Sequence, residues 1–114
     1  MKIIDKENKI SIQELKLMAE NMFGDLVKAV LDIEKEIMAV DAELHADQEK
    51  VLLENGSKQE HLWGINLYPD ETDDDFIEFD SMINLRPSWG NHSRGIDDEN
   101  IQHKIIEIVN KLIV

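Results

Sequence analysis

Cysteine is absent from the 114 residues of this chain. Its absence excludes disulfides, thiolate metal sites and thiol nucleophiles. Proline is rare, with two residues, and together with an apolar share of 42% this argues against a disordered chain. Basic residues are few, 12 against 25 acids, for a formal charge of −13. Such a chain repels a phosphate backbone and anionic lipid headgroups, and no basic stripe offsets the repulsion. The expectation is therefore no nucleic-acid and no membrane partner. No apolar run approaches the roughly 18 residues of a membrane span, and the opening MKIIDKENKI lacks the apolar centre of a secretion signal. A cytoplasmic protein follows as the default, and the sequons Asn55-Gly56-Ser57 and Asn91-His92-Ser93 then read as turn chemistry. The length suits one domain over residues 1–114, with a single modest core.

Several elements are legible. Ser11 with Glu14 forms a capping box, Ile10 can staple to Leu15, and Ile12, Leu15, Met18, Ala19 and Met22 recur at helical spacing. This predicts a helix over residues 12–23, with Gly24 as its left-handed cap. The stretch DLVKAVLDIEKEIMAVDAELHAD reads either as a helix or as a hairpin. Its β-branched content and the break at Gly24 favour the hairpin, turning at Glu34-Lys35-Glu36 before a second run from Ile37 to His45. The turn itself is a poor loop, without Gly or Asn. Asp47 can cap a helix through Val51, Leu52 and Leu53 that ends at Asn55-Gly56.

Two alternating runs follow, HLWGINLY and FIEFDSMINLR, each stopped by a proline and separated by the acidic loop PDETDDD. A last helix from about Asp98 carries Ile101, Ile105, Ile108 and Leu112 on one face, with acids at its start and lysines towards its end. The predicted fold class is α+β: a four-stranded antiparallel sheet of two hairpins with three helices on one face, in the order α-ββ-α-ββ-α.

From Phe23 onward the stretches FGDLVKAVLDIEKEIMAVDAELHAD, ENGSKQEHLWGINLYP and EFDSMINLRPSWGNHSRGI resemble a family of small prokaryotic proteins known only as a domain of unknown function. The resemblance implies no activity to carry over. It does imply small residues at Asp41-Ala42 and a basic residue at His92, where this chain departs. The departure at His92 argues against a strongly basic anion pocket.

Sorting each run by alternation leaves one side polar. Glu78, Asp80, Asn84 and Arg86 share it on the last strand, Asn66 and Tyr68 on the strand before, and Asp41, Glu43 and His45 on the second. The simplest reading is a solvated sheet face carrying exposed ion pairs. Against it stand poor strand formers where threonine and lysine would be usual. The candidate binding residues are therefore Glu43, His45, Asn66, Tyr68, Glu78, Asp80, Asn84, Arg86 and, from the following loop, Arg94. Arg86 would anchor a carboxylate through its planar fork. Arg86→Ala would then abolish binding and spare the fold.

Two function classes follow. One is a non-enzymatic binding or interaction protein taking a small anionic ligand or a protein partner. The other is a metal-assisted, hydrolase-like enzyme using Glu43, His45, Glu78 and Asp80. No HExxH or comparable ligand spacing occurs, no nucleophile elbow is present, and no cofactor is expected. The loop from Asp70 lacks the glycine and glutamate of an EF-hand. Ile105, Ile106, Ile108, Val109, Leu112 and Ile113 run most of the way round the last helix, which points to a homodimer.

Overall fold

The computed structural model describes residues 1–114. Its elements are β1 (Lys2–Ile4), α1 (Ile12–Asn21), β2 (Val27–Asp32), β3 (Ile37–Val40), α2 (His45–Glu54), β4 (Leu62–Leu67), β5 (Ile77–Glu78) and α3 (Glu99–Leu112), with short 3-10 turns between them. The class is α+β with three helices and an antiparallel sheet, as expected. The sheet has five strands rather than four, in the order β1-β3-β2-β4-β5. The added strand is β1, whose Ile3 lies opposite Ala39. Three residues are too short for alternation to be recognised, so only the partner strand defines it.

The hairpin reading of residues 25–45 holds for β2 and β3, paired from Ala29 opposite Val40 to Asp32 opposite Ile37. The turn without glycine or asparagine is made by Asp32. Its Oδ1 accepts from the N–H groups of Glu34 and Lys35, both at 2.9 Å, and Glu36 takes a left-handed φ of 57°. Ser57 Oγ donates to the other carboxylate oxygen at 2.6 Å, so this buried acid is satisfied on both sides. The second strand stops at Val40, well short of His45. Asp41, at φ 66°, turns the chain out of the sheet, and the next helix begins at His45. Asp41, Glu43 and His45 therefore share no strand face.

Helix α1 begins as its capping box requires. Ser11 Oγ accepts from Glu14 N at 3.1 Å, and the stapling pair Ile10 and Leu15 are both buried. The helix ends at Asn21, and Gly24, with φ 95°, returns its N–H to Ala19 O. Helix α3 starts at the Asp98 cap and buries Ile105, Ile108, Val109 and Leu112. Helix α2 departs from expectation: Leu44 precedes its first residue and makes no side-chain cap, and Asp47 lies inside the first turn.

The helices do not share one face of the sheet. The larger core joins Leu15 and Ala19 of α1 and the α3 residues to Ala29, Leu31, Met38, Ile65 and Leu67. A smaller core on the opposite face joins Leu52 of α2 to Val30, Ala39 and Leu62. The sheet is thus sandwiched, and all six residues of β4 are buried. No helix is long and apolar enough to cross a membrane.

Candidate functional site

The alternating run Phe76 to Arg86 supplies only two strand residues, Ile77 and Glu78. Beyond them the chain leaves the ladder for 3-10 turns at Met82–Asn84 and Pro87–Trp89. The cause is side-chain competition for backbone groups. Ser81 Oγ accepts from Ile83 N at 3.3 Å. Asn84, fully buried, then takes the place of a strand beside Gly64. Its Oδ1 accepts from Gly64 N at 2.8 Å, and its Nδ2 donates to Gly64 O at 2.9 Å and to Arg94 O at 3.0 Å. Gly64 is required there, because a Cβ would stand 2.6 Å from the Cβ and Oγ of Ser81.

A second buried asparagine shapes the following loop. Asn91 Nδ2 donates to Asn84 O, Ser93 O and Gly95 O, and its Oδ1 accepts from Asp97 N at 2.8 Å. Asp97 in turn accepts from His92 N and Ser93 Oγ, and these bonds hold its carboxyl below the usual carboxylate range. This loop is therefore an ordered network that leads into the Asp98 cap of α3.

The side of the sheet predicted to be open is covered by α2 and this loop. His45, on the first turn of α2, is 9% exposed, and its Nε2–H donates to Ile65 O at 2.7 Å. Burial depresses the histidine pKa against the smaller opposing effect of that bond. Gln48, one turn later, donates to Lys28 O at 2.7 Å. Both side chains dock the helix on carbonyls of β4 and β2. Buried amides and imidazole here serve backbone acceptors, which accounts for the unusual residue choice.

The nine candidate residues therefore divide. Asn66 Nδ2 donates to Glu78 Oε1 at 2.8 Å, Tyr68 Oη donates to the same oxygen at 3.1 Å, and Arg94 Nε meets Asp80 Oδ1 at 2.8 Å. Partial burial, then the Glu78 carboxylate, raises the Tyr68 phenol above its ordinary pKa. Asn84 is internal and Glu43 stands exposed in the turn before α2. Glu43, His45, Glu78 and Asp80 do not form a metal centre, since no group of three or more His, Asp or Glu side chains could hold an ion.

Arg86 is also internal, at 8% exposure. Its guanidinium lies 5.1 Å from the Trp63 ring centre and 5.6 Å from that of Trp89, and Nη2 donates to Glu49 Oε2 at 3.3 Å. Burial lowers its pKa, and the Glu49 carboxylate opposes that shift. Arg86, the expected anion anchor, and Arg94, the candidate from the following loop, are thus both engaged by carboxylates of the same chain. Glu49, on α2, was missed because no spacing rule relates it to Arg86.

An open groove lies on the other face, beside the β5 edge. It encloses about 1000 Å³ between α1, α3 and the segment after Pro69. Ile12, Phe76, Ile77, Phe79, Ile106 and Ile113 supply its apolar surface. Asp70, Glu71, Asp73 and Asp74 form the rim, where Lys16 is the single base and lies 3.6 Å from Asp70.

Among curated proteins and solved structures, none matches this chain. A family model described as "Protein of unknown function (DUF5674)" matches residues 2–112, and the chain belongs to that family.

Proposed function

We propose that this chain is a non-enzymatic protein-interaction module, and that its groove beside β5 receives a basic, amphipathic segment of a partner protein. The observation that carries the reading is the pairing of a six-residue apolar lining with four rim carboxylates in one concave surface. Apolar anchors of a partner would bury against Phe79 and Ile106, where most of the affinity would arise. The carboxylates would select lysine and arginine and speed encounter, an effect that salt screens. A second copy of this chain suits the groove poorly, because one acidic rim would face another.

Fluorescence anisotropy with amphipathic peptides of equal hydrophobicity and opposite charge tests the reading. The basic peptide should bind in a salt-dependent way, and the acidic one should not. Ile106→Asp should weaken binding about tenfold or more, as should Asp73→Asn combined with Asp74→Asn, at unchanged thermal stability. Equal binding of both peptides, or indifference to Ile106→Asp, would refute it.

A further inference from the structure

The two edges of the sheet differ. At β1 the chain occupies its own edge: Asn8 Nδ2 donates to Ile3 O at 3.2 Å, and Asp5 and Asn8 exchange backbone hydrogen bonds just beyond it. At β5 no such cover exists. Tyr68 N–H donates to Phe76 O at 2.9 Å, and the next position pairs Leu67 with Ile77. In an antiparallel ladder, the residue beside a hydrogen-bonded position turns both its backbone groups away from the neighbouring strand. The N–H and C=O of Ile77 therefore point out from β4, and neither has a hydrogen-bond partner. Ile77 also lines the acidic groove. Resting on the reading of that groove as a partner site, we infer that the basic segment adds to β5 as an extended strand, pairing its backbone with Ile77.

The side chains of β5 say what such a strand would carry. Ile77 and the following Phe79 pack against the larger core and line the groove. Glu78 stands exposed on the opposite face, where its Oε1 accepts from Asn66 and Tyr68 and its Oε2 has no donor. An added strand would set alternate residues beside Ile77 and Ile106 on one face and beside Glu78 on the other. Alternating apolar and basic residues match both faces at once. A helix in the groove would reach Phe79 and Ile106 but leave the backbone groups of Ile77 unpaired.

The free edge is short. Phe76 N–H is used by Asp73 O before it, and Gly95 packs close after it, where a Cβ would stand 3.3 Å from Phe79 O. One residue's pair of hydrogen bonds fixes the direction and register of the segment, and the apolar contacts supply affinity. So short an edge does not template pairing between copies, and two copies would bring their acidic rims together.

The probe is a short peptide in which leucine and lysine alternate, read by fluorescence anisotropy. Its control holds the same residues at helical spacing. The alternating peptide should bind at least about tenfold tighter. Two backbone-methylated forms follow, one methylated at every leucine N–H and one at every lysine N–H. N–H groups alternate between the two edges of a strand, so one form should lose binding and the other keep it. Amide exchange at Ile77, measured by NMR, should slow severalfold or more at saturation. Glu78→Gln, which keeps an acceptor for Asn66 and Tyr68, should weaken binding severalfold. Loss of binding in both methylated forms, or in neither, overturns the strand. Unchanged exchange at Ile77, an advantage for the helical peptide, or full binding by Glu78→Gln does so too. In each of these cases the groove reading stands, because a basic peptide still binds and Ile106→Asp still weakens it. If no basic peptide binds, the groove reading fails and the inference with it. A dimer that the peptide dissolves would assign the edge to a second copy of this chain and also overturn the inference.

Discussion

Asn84 and Gly64 are joined by two hydrogen bonds, Gly64 N to Oδ1 at 2.8 Å and Nδ2 to Gly64 O at 2.9 Å, so a side chain completes the sheet where a strand would. Asn84→Ala orphans the N–H and C=O of the buried Gly64, at about 1–3 kcal/mol each. Urea unfolding should show a loss of that order. Asn84→Asp, which keeps the acceptor and loses the donor, should be destabilised too. Wild-type midpoints for both variants would mean that the contact contributes nothing.

Arg86 and Glu49 give a prediction opposite to that for a surface arginine. Removing one partner of a buried ion pair costs about 3–5 kcal/mol, because the other charge stays buried alone. Arg86→Ala and Glu49→Ala should each lower the thermal midpoint strongly. The double variant should be less destabilised than the sum. Additive losses in this cycle would show that the two do not act as a pair.

His45 makes stability depend on pH. Its folded pKa lies below the ordinary imidazole value of about 6.5, so the unfolded chain binds the proton more readily. The stabilisation is present above that value and is lost as pH falls towards the folded pKa. A stability profile from pH 7.5 to 5 should slope downward on acidification. His45→Gln should flatten it, and an unchanged slope would remove His45 as the cause.

Asp32 should decide whether the hairpin closes. Asp32→Ala removes the one oxygen that accepts from two turn N–H groups and the partner of Ser57, whereas Asp32→Asn keeps an oxygen that can accept from Glu34 and Lys35. Amide exchange across β2 and β3 should rise sharply in the first variant and modestly in the second. Equal exchange in both would assign the turn to Glu36 alone.

Assembly is the fifth property at issue. Ile105, Ile108, Val109 and Leu112 are buried within the chain, leaving Ile106 exposed on α3 and Ile113, just past its end, partly so. The apolar circumference that suggested a homodimer is therefore mostly used by the chain's own fold. Light scattering at tens of micromolar should report a monomer. A dimer that Ile106→Asp dissolves would instead make the groove a self-association surface.

Local chemistry alone determined much of this protein. The Ser11 and Asp98 caps, the glycine stops at Gly24 and Gly56, the hairpin of β2 and β3 and the helix of α3 depend on neighbours within a few residues. Such signals survive in the linear order. Alternation failed from Asp80 to Arg86, because alternating polarity also describes a chain whose asparagines and serines bind backbone groups. Only the approach of Gly64 distinguishes the two. The side of the sheet that α2 covers was likewise undetermined, since alternation sorts residues by face without saying which helix comes to rest there.

Tertiary structure decided that His45 and Gln48 serve carbonyls of β4 and β2, that Arg86 lies between Trp63 and Trp89 beside Glu49, and that the acidic loop rims an apolar groove. Each is a meeting of residues distant in sequence. Burial changed the role of each polar group among them, because a donor removed from water must find a partner inside the fold.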